Sequence, residues 1–223
     1  MADAAALDAM LAALQREAAV DHALLVAGSL RTALGRFDGT QPALASGLFE
    51  RHGCRSLGVA GHPEGSPDIA PAALALALAL RDKNAYAQTS TLRLHLVTQF
   101  CFDAAPLVAC ERQVRAAGNP LPCMSGWPVW RRCRRWSSTR SCGVGASLGV
   151  LTRQAGRMFK LVSALAPGEI VTALAAARLA DAQCLVERLH FFPFGSFDAT
   201  VAWAAAVARG EFSLRRDDSD IVV

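Results

Sequence analysis

The chain has 223 residues, of which 52% are hydrophobic and 19% are charged, and its formal net charge is +4. These values are typical of a good-sized globular domain with a core of its own, and they exclude an intrinsically disordered chain. The Ala-Leu run Ala70–Leu80 is too short to cross a bilayer, and seven cysteines without a repeated spacing do not indicate a disulfide framework. We therefore expect a cytoplasmic protein.

The apolar pattern predicts helices that alternate with strands. In chain order, the sequence predicts a helix over 2–20, a strand over 22–28, a helix over 43–52, a strand over 56–61, a helix over 71–86, a strand over 94–102 and a helix over 105–117. After residue 142 it predicts a short strand or turn over 143–148, helices over 152–164 and 167–181, a strand over 185–194 and a closing helix over 197–209. Strands that are each followed by a helix, at a spacing of about 30 residues, indicate βαβ units and a parallel sheet.

The strand ends favour a barrel over an open, doubly wound sheet. No G-x-G-x-x-G follows any predicted strand, so the dinucleotide-binding fingerprint is missing. Three strands instead end in different polar or glycine-rich elements: Gly28-Ser29, Gly61-His62-Pro63-Glu64 and Thr98-Gln99. Site residues that are spread over several strand ends are typical of a (β/α)8 TIM barrel, which usually needs about 250 residues. The sequence therefore predicts an incomplete barrel over residues 1–212, followed by a polar tail over 213–223.

Segment 123–141 does not fit this pattern. It carries five arginines and no acid, so the rest of the chain has a net charge of 4 − 5 = −1, and it holds three of the four tryptophans. Arginine interleaved with tryptophan is one pattern of nucleic-acid binding, although neither a C-x-x-C nor a nearby histidine supports a metal site at Cys123, Cys133 and Cys142. A pair of compensating frameshifts explains the segment better. Read two nucleotides later, its codons are compatible with H-V-G-L-A-G-V-A-P-L-P-A-L-V-L-H-A, a strand that ends in glycine followed by a helix. We therefore treat 123–141 as one scrambled βα unit and not as a site.

Four ordered motifs carry a resemblance to a known family. Val97–Asp103 is similar to the T-Q-F-F-F-D strand of the methylenetetrahydrofolate reductases, and Gly61–Asp68 resembles their A-Y-P-E-x-H-P-E loop. Ala27–Leu30 stands where that family has R-G-D-L, and Leu189–Gly195 resembles its final strand, H-F-Y-T-L-N. A short bacterial branch with A-G-S-L-R-T, V-A-G-H-P-E-G, V-T-Q-F-C-F and H-F-F-P matches more closely still. The likeness covers about 20–120 and 142–210.

The resemblance implies a function. Members of the family are flavin-dependent (β/α)8 barrels that use FAD, with NAD(P)H or another electron donor, to reduce methylenetetrahydrofolate to methyltetrahydrofolate. By this likeness the chain is an FAD-dependent oxidoreductase of one-carbon metabolism that binds a small tetrahydrofolate derivative, with no nucleic-acid or membrane partner. The resemblance leaves the oligomeric state open.

The resemblance also assigns positions. Gln99 would contact the pterin and the hydride donor. The implied flavin contacts are Gly28 and Ser29, where the family has a Gly-Asp pair; His62, where it has a tyrosine; Ser66, where it has a histidine; and Arg81 or Lys83, which would meet the cofactor pyrophosphate from the end of a helix.

The chain departs from the family pattern at positions that matter for catalysis. The family's general acid is a glutamate at the end of its first strand, and no stretch of this chain corresponds to the first two strands. The resemblance therefore gives this chain no catalytic residue. Ser29 and Ser196 also replace an aspartate and an arginine of the family. The alternative hypothesis is a non-catalytic flavin- or folate-binding remnant, or a truncated gene fragment.

Overall fold

The computed structural model describes residues 4–26, 37, 39–61, 72–100, 104–130, 168–194, 197–215 and 220–223, with the backbone alone at 72–77, 99–100, 128–130 and 194. The helices within this part are α1 (Ala4–Ala18), α2 (Thr40–Ala45), α3 (Leu48–Arg51), α4 (Ala72–Thr89), α5 (Ala104–Ala116), α6 (Gly168–Ala180) and α7 (Phe197–Ala208). The strands are β1 (His22–Leu25), β2 (Ser56–Gly61), β3 (Arg93–Phe100), β4 (Cys123–Trp130), β5 (Val186–Phe194), β6 (Ser213–Leu214) and β7 (Ile221–Val222).

Five strands form one sheet in the order β1-β2-β3-β4-β5. The sheet is parallel and flanked by helices, which confirms the predicted α/β class. Main-chain hydrogen bonds join β3 to β4 and β4 to β5. The Leu96 amide donates to the Pro122 carbonyl at 2.8 Å, and the Cys123 amide donates to the Leu185 carbonyl at 2.7 Å. Each strand therefore lies beside the one that precedes it, without the reversal of order that defines an open doubly wound sheet.

The chain divides into two compact units, one formed by 1–99, 109–124 and 185–188 and the other by 100–108, 125–184 and 189–223. We call them the first and second units. In the second unit, residues expected to form a polar tail contribute the antiparallel pair β6–β7. Ile221 of β7 is only 5% exposed. A side chain at Gly168, the first residue of α6, would collide with Asp220 and with the Ile221 backbone, so this ribbon lies directly against the start of α6.

The core of the first unit lies between one face of the sheet and the helices. Leu25, Val59 and Leu96 are register partners on three adjacent strands, and each is less than 10% exposed. The same buried cluster contains Leu57 and Leu94 from the strands and, from the helices, Leu7, Leu11, Leu44, Leu48 and Phe49. Burial of each large side chain stabilises the fold by roughly 1.5–3 kcal/mol, so this face is the main source of stability in the unit.

The opposite face of the same three strands is packed around a glycine. Leu24, Gly58 and His95 are register partners, one position before the core row. A Cβ atom at Gly58 would lie 2.9 Å from His95 Nε2, 2.9 Å from Val97 Cγ2 and 3.0 Å from Leu24 Cδ1. The imidazole of His95 therefore occupies the space that a side chain at position 58 would need, and its Nδ1 lies 3.3 Å from Ser56 Oγ.

Two hydrogen-bonded carboxylates join separate elements of the first unit. Glu50 of α3 accepts hydrogen bonds from the Tyr86 hydroxyl and, at 2.8 Å, from the Ser90 hydroxyl. Burial would raise the pKa of Glu50, but the two donated hydrogen bonds outweigh it and the net shift is downward. Burial and the bond to Glu50 raise the pKa of Tyr86 to about 12, so the phenol remains a donor at neutral pH. Glu111 of α5, with its side chain 2% exposed, accepts from Arg115 Nε at 2.8 Å and from the Leu185 amide at 3.1 Å.

The prediction of a single helix over 43–52 was wrong. Gly47 adopts φ = +66°, in the left-handed region, and this divides the segment into α2 and α3. Helix α4 begins at Ala72 as expected but continues to Thr89, three residues beyond the predicted end. The strand over 56–61 has the predicted bounds, and α5, α6 and α7 begin and end within a residue of them. The elements predicted over 143–148 and 152–164 lie outside the described residues.

We expect Gly58→Ala to lower the free energy of unfolding by about 1–3 kcal/mol, because the new methyl group forces three packed side chains to move. Denaturant titration monitored by circular dichroism measures this change. Gly61→Ala on the same strand is the matched control, since its nearest neighbours would lie 3.6 Å away, in ordinary contact. Equal losses in the two variants would contradict the packing described around Gly58.

We expect Tyr86→Phe to lower the free energy of unfolding by about 1–2 kcal/mol at pH 7, because Glu50 loses a donor while it is ionised. The pKa of Glu50 is lowered by folding, so its ionised form contributes stability above its unfolded pKa, and this contribution is lost as the pH falls through the folded pKa. The destabilisation should therefore shrink as the pH falls below about 4.5, the ordinary pKa of a glutamate. Gln88→Ala, an exposed change on the same helix, should show no such difference, and a pH-independent effect of Tyr86→Phe would exclude Glu50 as its cause.

Candidate functional site

The carboxyl ends of β1, β2 and β3 meet at one edge of the sheet because these strands are parallel. Gly61, the last residue of β2, pairs with Thr98 of β3. Gln99 is the next residue of β3, and the loop that carries His62 and Ser66 follows Gly61 directly in the chain. Two of the motifs identified in the sequence therefore leave adjacent strands at the same level.

Most of the predicted site residues themselves lie outside the described part of the chain. This is true of Gly28, Ser29, His62 and Ser66, and only the backbone of Gln99 is described. Their assignments remain predictions. The structure does describe the two cations predicted to meet the cofactor pyrophosphate, Arg81 and Lys83.

Neither cation lies at the end of a helix, so that part of the prediction was wrong. Arg81 and Lys83 are the tenth and twelfth residues of α4, which has 18 residues. At about 1.5 Å per residue they lie roughly 14 and 17 Å from its beginning. Arg81 is exposed, whereas Lys83 is 9% exposed. Residues two positions apart on a helix point about 200° away from each other, so these side chains do not form one clamp.

The Lys83 ammonium group is bound to the main chain. Its Nζ donates to the carbonyl oxygen of Ala60, the penultimate residue of β2, at 2.7 Å. Burial lowers the pKa of Lys83, because the charged form is costly away from water. Within the described residues, no carboxylate forms an ion pair with it. Of the two cations, Arg81 is therefore the one that remains accessible to an anionic ligand.

His95 and Ser56 form a polar pair, not predicted from the sequence, on the face of the sheet opposite the Leu25–Val59–Leu96 row. Ser56 Oγ donates to the Arg93 carbonyl at 3.1 Å and lies 3.3 Å from His95 Nδ1. The signal was present in the sequence, since His95 precedes Gln99 by four positions and alternate residues of a strand share a face. It was hidden because Leu94, Leu96 and Val97 make the segment resemble a continuous apolar run.

The first eight residues of segment 123–141 fit the pattern of alternating strands and helices, contrary to the expectation for this segment. They form β4 with the sequence as it stands. Leu121, Cys123, Ser125 and Trp127 are all buried, and they alternate with more exposed residues up to Met124. This short period-two pattern is typical of a strand, but it was obscured by the Arg/Trp residues that follow. The frameshift hypothesis for 123–141 remains a prediction, and sequencing of the coding DNA would test it.

The buried position of Trp127 bears on the nucleic-acid hypothesis. Its side chain is 6% exposed, so this indole cannot stack on a base while β4 is formed. The arginines of the segment lie outside the described residues. Cys123 is also buried, with Sγ 3.8 Å from the Leu121 carbonyl oxygen, and no cluster of metal-ligating side chains occurs in the part of the chain that the structure describes.

No known family model matches the chain. Within the described ranges, no helix combines the length and the apolar character needed to cross a membrane.

We expect Ser125→Asp to lower the free energy of unfolding by about 3 kcal/mol or more, because it places a carboxylate at a position that is 2% exposed. Ser125→Ala should be neutral or slightly stabilising, since Ser125 Oγ has no hydrogen-bond partner among the residues that the structure describes. Thermal unfolding of both variants measures the contrast. If Ser125→Asp unfolds at the same temperature as Ser125→Ala, position 125 is exposed and β4 does not form as described.

Proposed function

We propose that the chain is a methylenetetrahydrofolate reductase-like flavoprotein built on an incomplete (β/α)8 barrel. The proposal rests on the agreement between the motifs and the strand order. In the sequence, three of the four family-like motifs lie at the ends of successive strands, and in the structure those strands are β1, β2 and β3, adjacent and parallel.

The sequential strand order supports a barrel for a physical reason. Crossovers between parallel strands are right-handed in nearly all proteins. When every crossover moves one strand in the same direction, all the helices fall on the same face of the sheet, and the other face must close on itself or be covered. In the first unit the helices do lie on one face, since α1, α2 and α3 all pack with the Leu25–Val59–Leu96 row. The glycine at position 58 and the polar residues Ser56 and His95 lie on the other face.

The proposed roles follow the resemblance, corrected by the geometry. FAD, when bound, would supply hydride transfer between NAD(P)H and the methylene-bridged pterin. The chain's own residues would position the reactants: Gln99 would hydrogen-bond the pterin, and the elements at Gly28, Ser29, His62 and Ser66 would contact the flavin. Arg81 is the cation that an anionic part of the cofactor could reach. No residue of the chain is assigned the proton transfer that opens the pterin ring.

The lack of an assigned general acid keeps a second function open, namely a non-catalytic flavin- or folate-binding protein. Such a protein would share the binding residues with the enzyme and differ only in turnover. The two proposals are therefore distinguished by catalysis and not by binding.

The absorbance spectrum of the purified full-length chain tests the proposal. We expect the bands of an oxidised flavin at roughly 380 and 450 nm, either as purified or after incubation with FAD and removal of the free cofactor. A folded protein that shows no flavin bands under both conditions would overturn the proposed function.

A second measurement separates the enzyme from the binding protein. NAD(P)H oxidation in the presence of a flavin-loaded chain and a methylenetetrahydrofolate acceptor should exceed the rate with flavin alone. If flavin is bound but this rate equals the free-flavin background, the non-catalytic alternative is correct. Ser125→Ala, a change at a residue to which no contact is assigned, is the matched control for both measurements.

A further inference from the structure

We propose that Lys83 positions the carboxyl end of β2, and with it the start of the His62–Ser66 loop, and does not bind the cofactor pyrophosphate. The inference rests on the proposed function, because it assigns a role to a residue of the same site. It reverses the role that the family resemblance implies for Lys83.

The first observation is the hydrogen bond between Lys83 Nζ and the Ala60 carbonyl oxygen, at 2.7 Å. Hydrogen bonds in which the donor is charged are about twice as strong as neutral ones. With the side chain only 9% exposed, water does not compete freely for this ammonium group. A buried lysine donor is therefore committed to one carbonyl at the end of one strand.

The direction of the Lys83 side chain follows from the topology. Helix α4 follows β2 and leads back to the start of β3, so its N-terminus lies toward the carboxyl edge of the sheet. Side chains on a helix tilt toward the helix N-terminus. A long side chain from the middle of α4 therefore extends toward the carboxyl end of β2, where Ala60 lies.

Within the described residues, Ala60 lies where β2 has a strand partner on one side only. The pairing of β2 with β1 ends at Leu25 and Val59, whereas its pairing with β3 continues through Ala60 and Gly61. The last two residues of β2 therefore lack a described strand partner on the β1 side. A side chain from α4 that holds the Ala60 carbonyl fixes this end of the strand directly before the loop begins.

Binding of the cofactor pyrophosphate would require the Lys83 ammonium group to be accessible from solvent. To reach the pyrophosphate, the ammonium group would have to leave the Ala60 carbonyl and turn outward past the residues that bury it. Arg81 needs no such change, because it is already exposed. The two cations of α4 therefore divide two tasks: Lys83 supports the main chain, and Arg81 is accessible to a ligand.

The affinities of variants for two flavins test this assignment of roles. FAD contains the pyrophosphate and riboflavin lacks it, so a residue that contacts the pyrophosphate affects only the binding of FAD. We expect Lys83→Met to weaken the binding of riboflavin and of FAD by the same factor, about tenfold or more, because the end of β2 that leads into His62 loses the contact that holds it. Arg81→Met, the matched control on the same helix, should weaken FAD binding more than riboflavin binding. Loss of FAD affinity with unchanged riboflavin affinity in Lys83→Met would show direct contact with the pyrophosphate and overturn the inference.

Stability must be separated from positioning. The affinities are measured at a temperature where thermal unfolding shows Lys83→Met to be fully folded, and Lys83→Arg, which retains a charged donor, should recover most of the lost affinity. A merely structural role predicts a lower unfolding temperature with normal affinity for both flavins, and that result would also overturn the inference. Lys83→Gln is measured in the same way if Lys83→Met does not fold.

A third measurement does not depend on flavin. Amide hydrogen exchange of the peptide that covers 56–61 should be faster in Lys83→Met than in the parent chain, and unchanged in Arg81→Met. If the parent chain binds neither flavin but this difference is found, the proposed function fails while the role of Lys83 at the strand end stands. Unchanged exchange in a folded Lys83→Met or Lys83→Gln protein would overturn that role.

Discussion

The buried row formed by Leu25, Val59 and Leu96 is the interaction on which the described structure depends most. It joins three strands that are distant in sequence, and it gives α1, α2 and α3 a common surface to cover. Side chains of a strand alternate between the two faces of a sheet. Burial of this row therefore determines which face each of the remaining side chains on these strands occupies. The placement of Ser56, Gly58 and His95 on the opposite face is a consequence of that packing and not an independent feature.

The same constraint explains why polar groups gather where they do. A carboxylate or an ammonium group inside the unit must find a partner, since burial without one is costly. Glu50 and Glu111 find hydroxyl, guanidinium and amide donors where helices and strands begin or end, and Lys83 finds a carbonyl at the end of a strand. Each of the three joins two different elements: α3 with the end of α4, α5 with the start of β5, and α4 with β2. The buried polar contacts therefore specify which elements pack together, which the apolar surfaces leave loosely specified.

Sequence alone could predict the elements whose signals are local. The strand over 56–61 lies between Gly53 and a Gly-Pro-rich segment of the sequence, and α5 ends at Ala116, two residues before Gly118, whose φ of +87° matches its role as a stop. Other features depend on contacts that a linear pattern does not contain. At Gly47 the chain turns between two short helices, and residues of both helices pack into the core of the first unit. Nothing in the sequence distinguishes Lys83 from Arg81, because both are cations on one helix; only the position of Ala60, 23 residues earlier, separates them. The strand at 123–130 was obscured by its neighbours, since a four-residue alternation carries less weight than an adjacent run of arginines and tryptophans.

The sequential strand order has a consequence for how the chain folds as it is synthesised. Neighbouring strands are separated by 34 and 37 positions in the first two pairs (22 to 56 and 56 to 93), so each can dock soon after it leaves the ribosome. The last pair is different, because Cys123 and Leu185 are 62 positions apart. Closing the longer loop costs only about 0.6 kcal/mol more per doubling of length, so it lowers the stability of the fold little. Its main effect is that β5 is synthesised long after β4. Until β5 is synthesised, β4 lacks its described partner on that side, and an unpaired strand edge is a site at which chains can associate with one another.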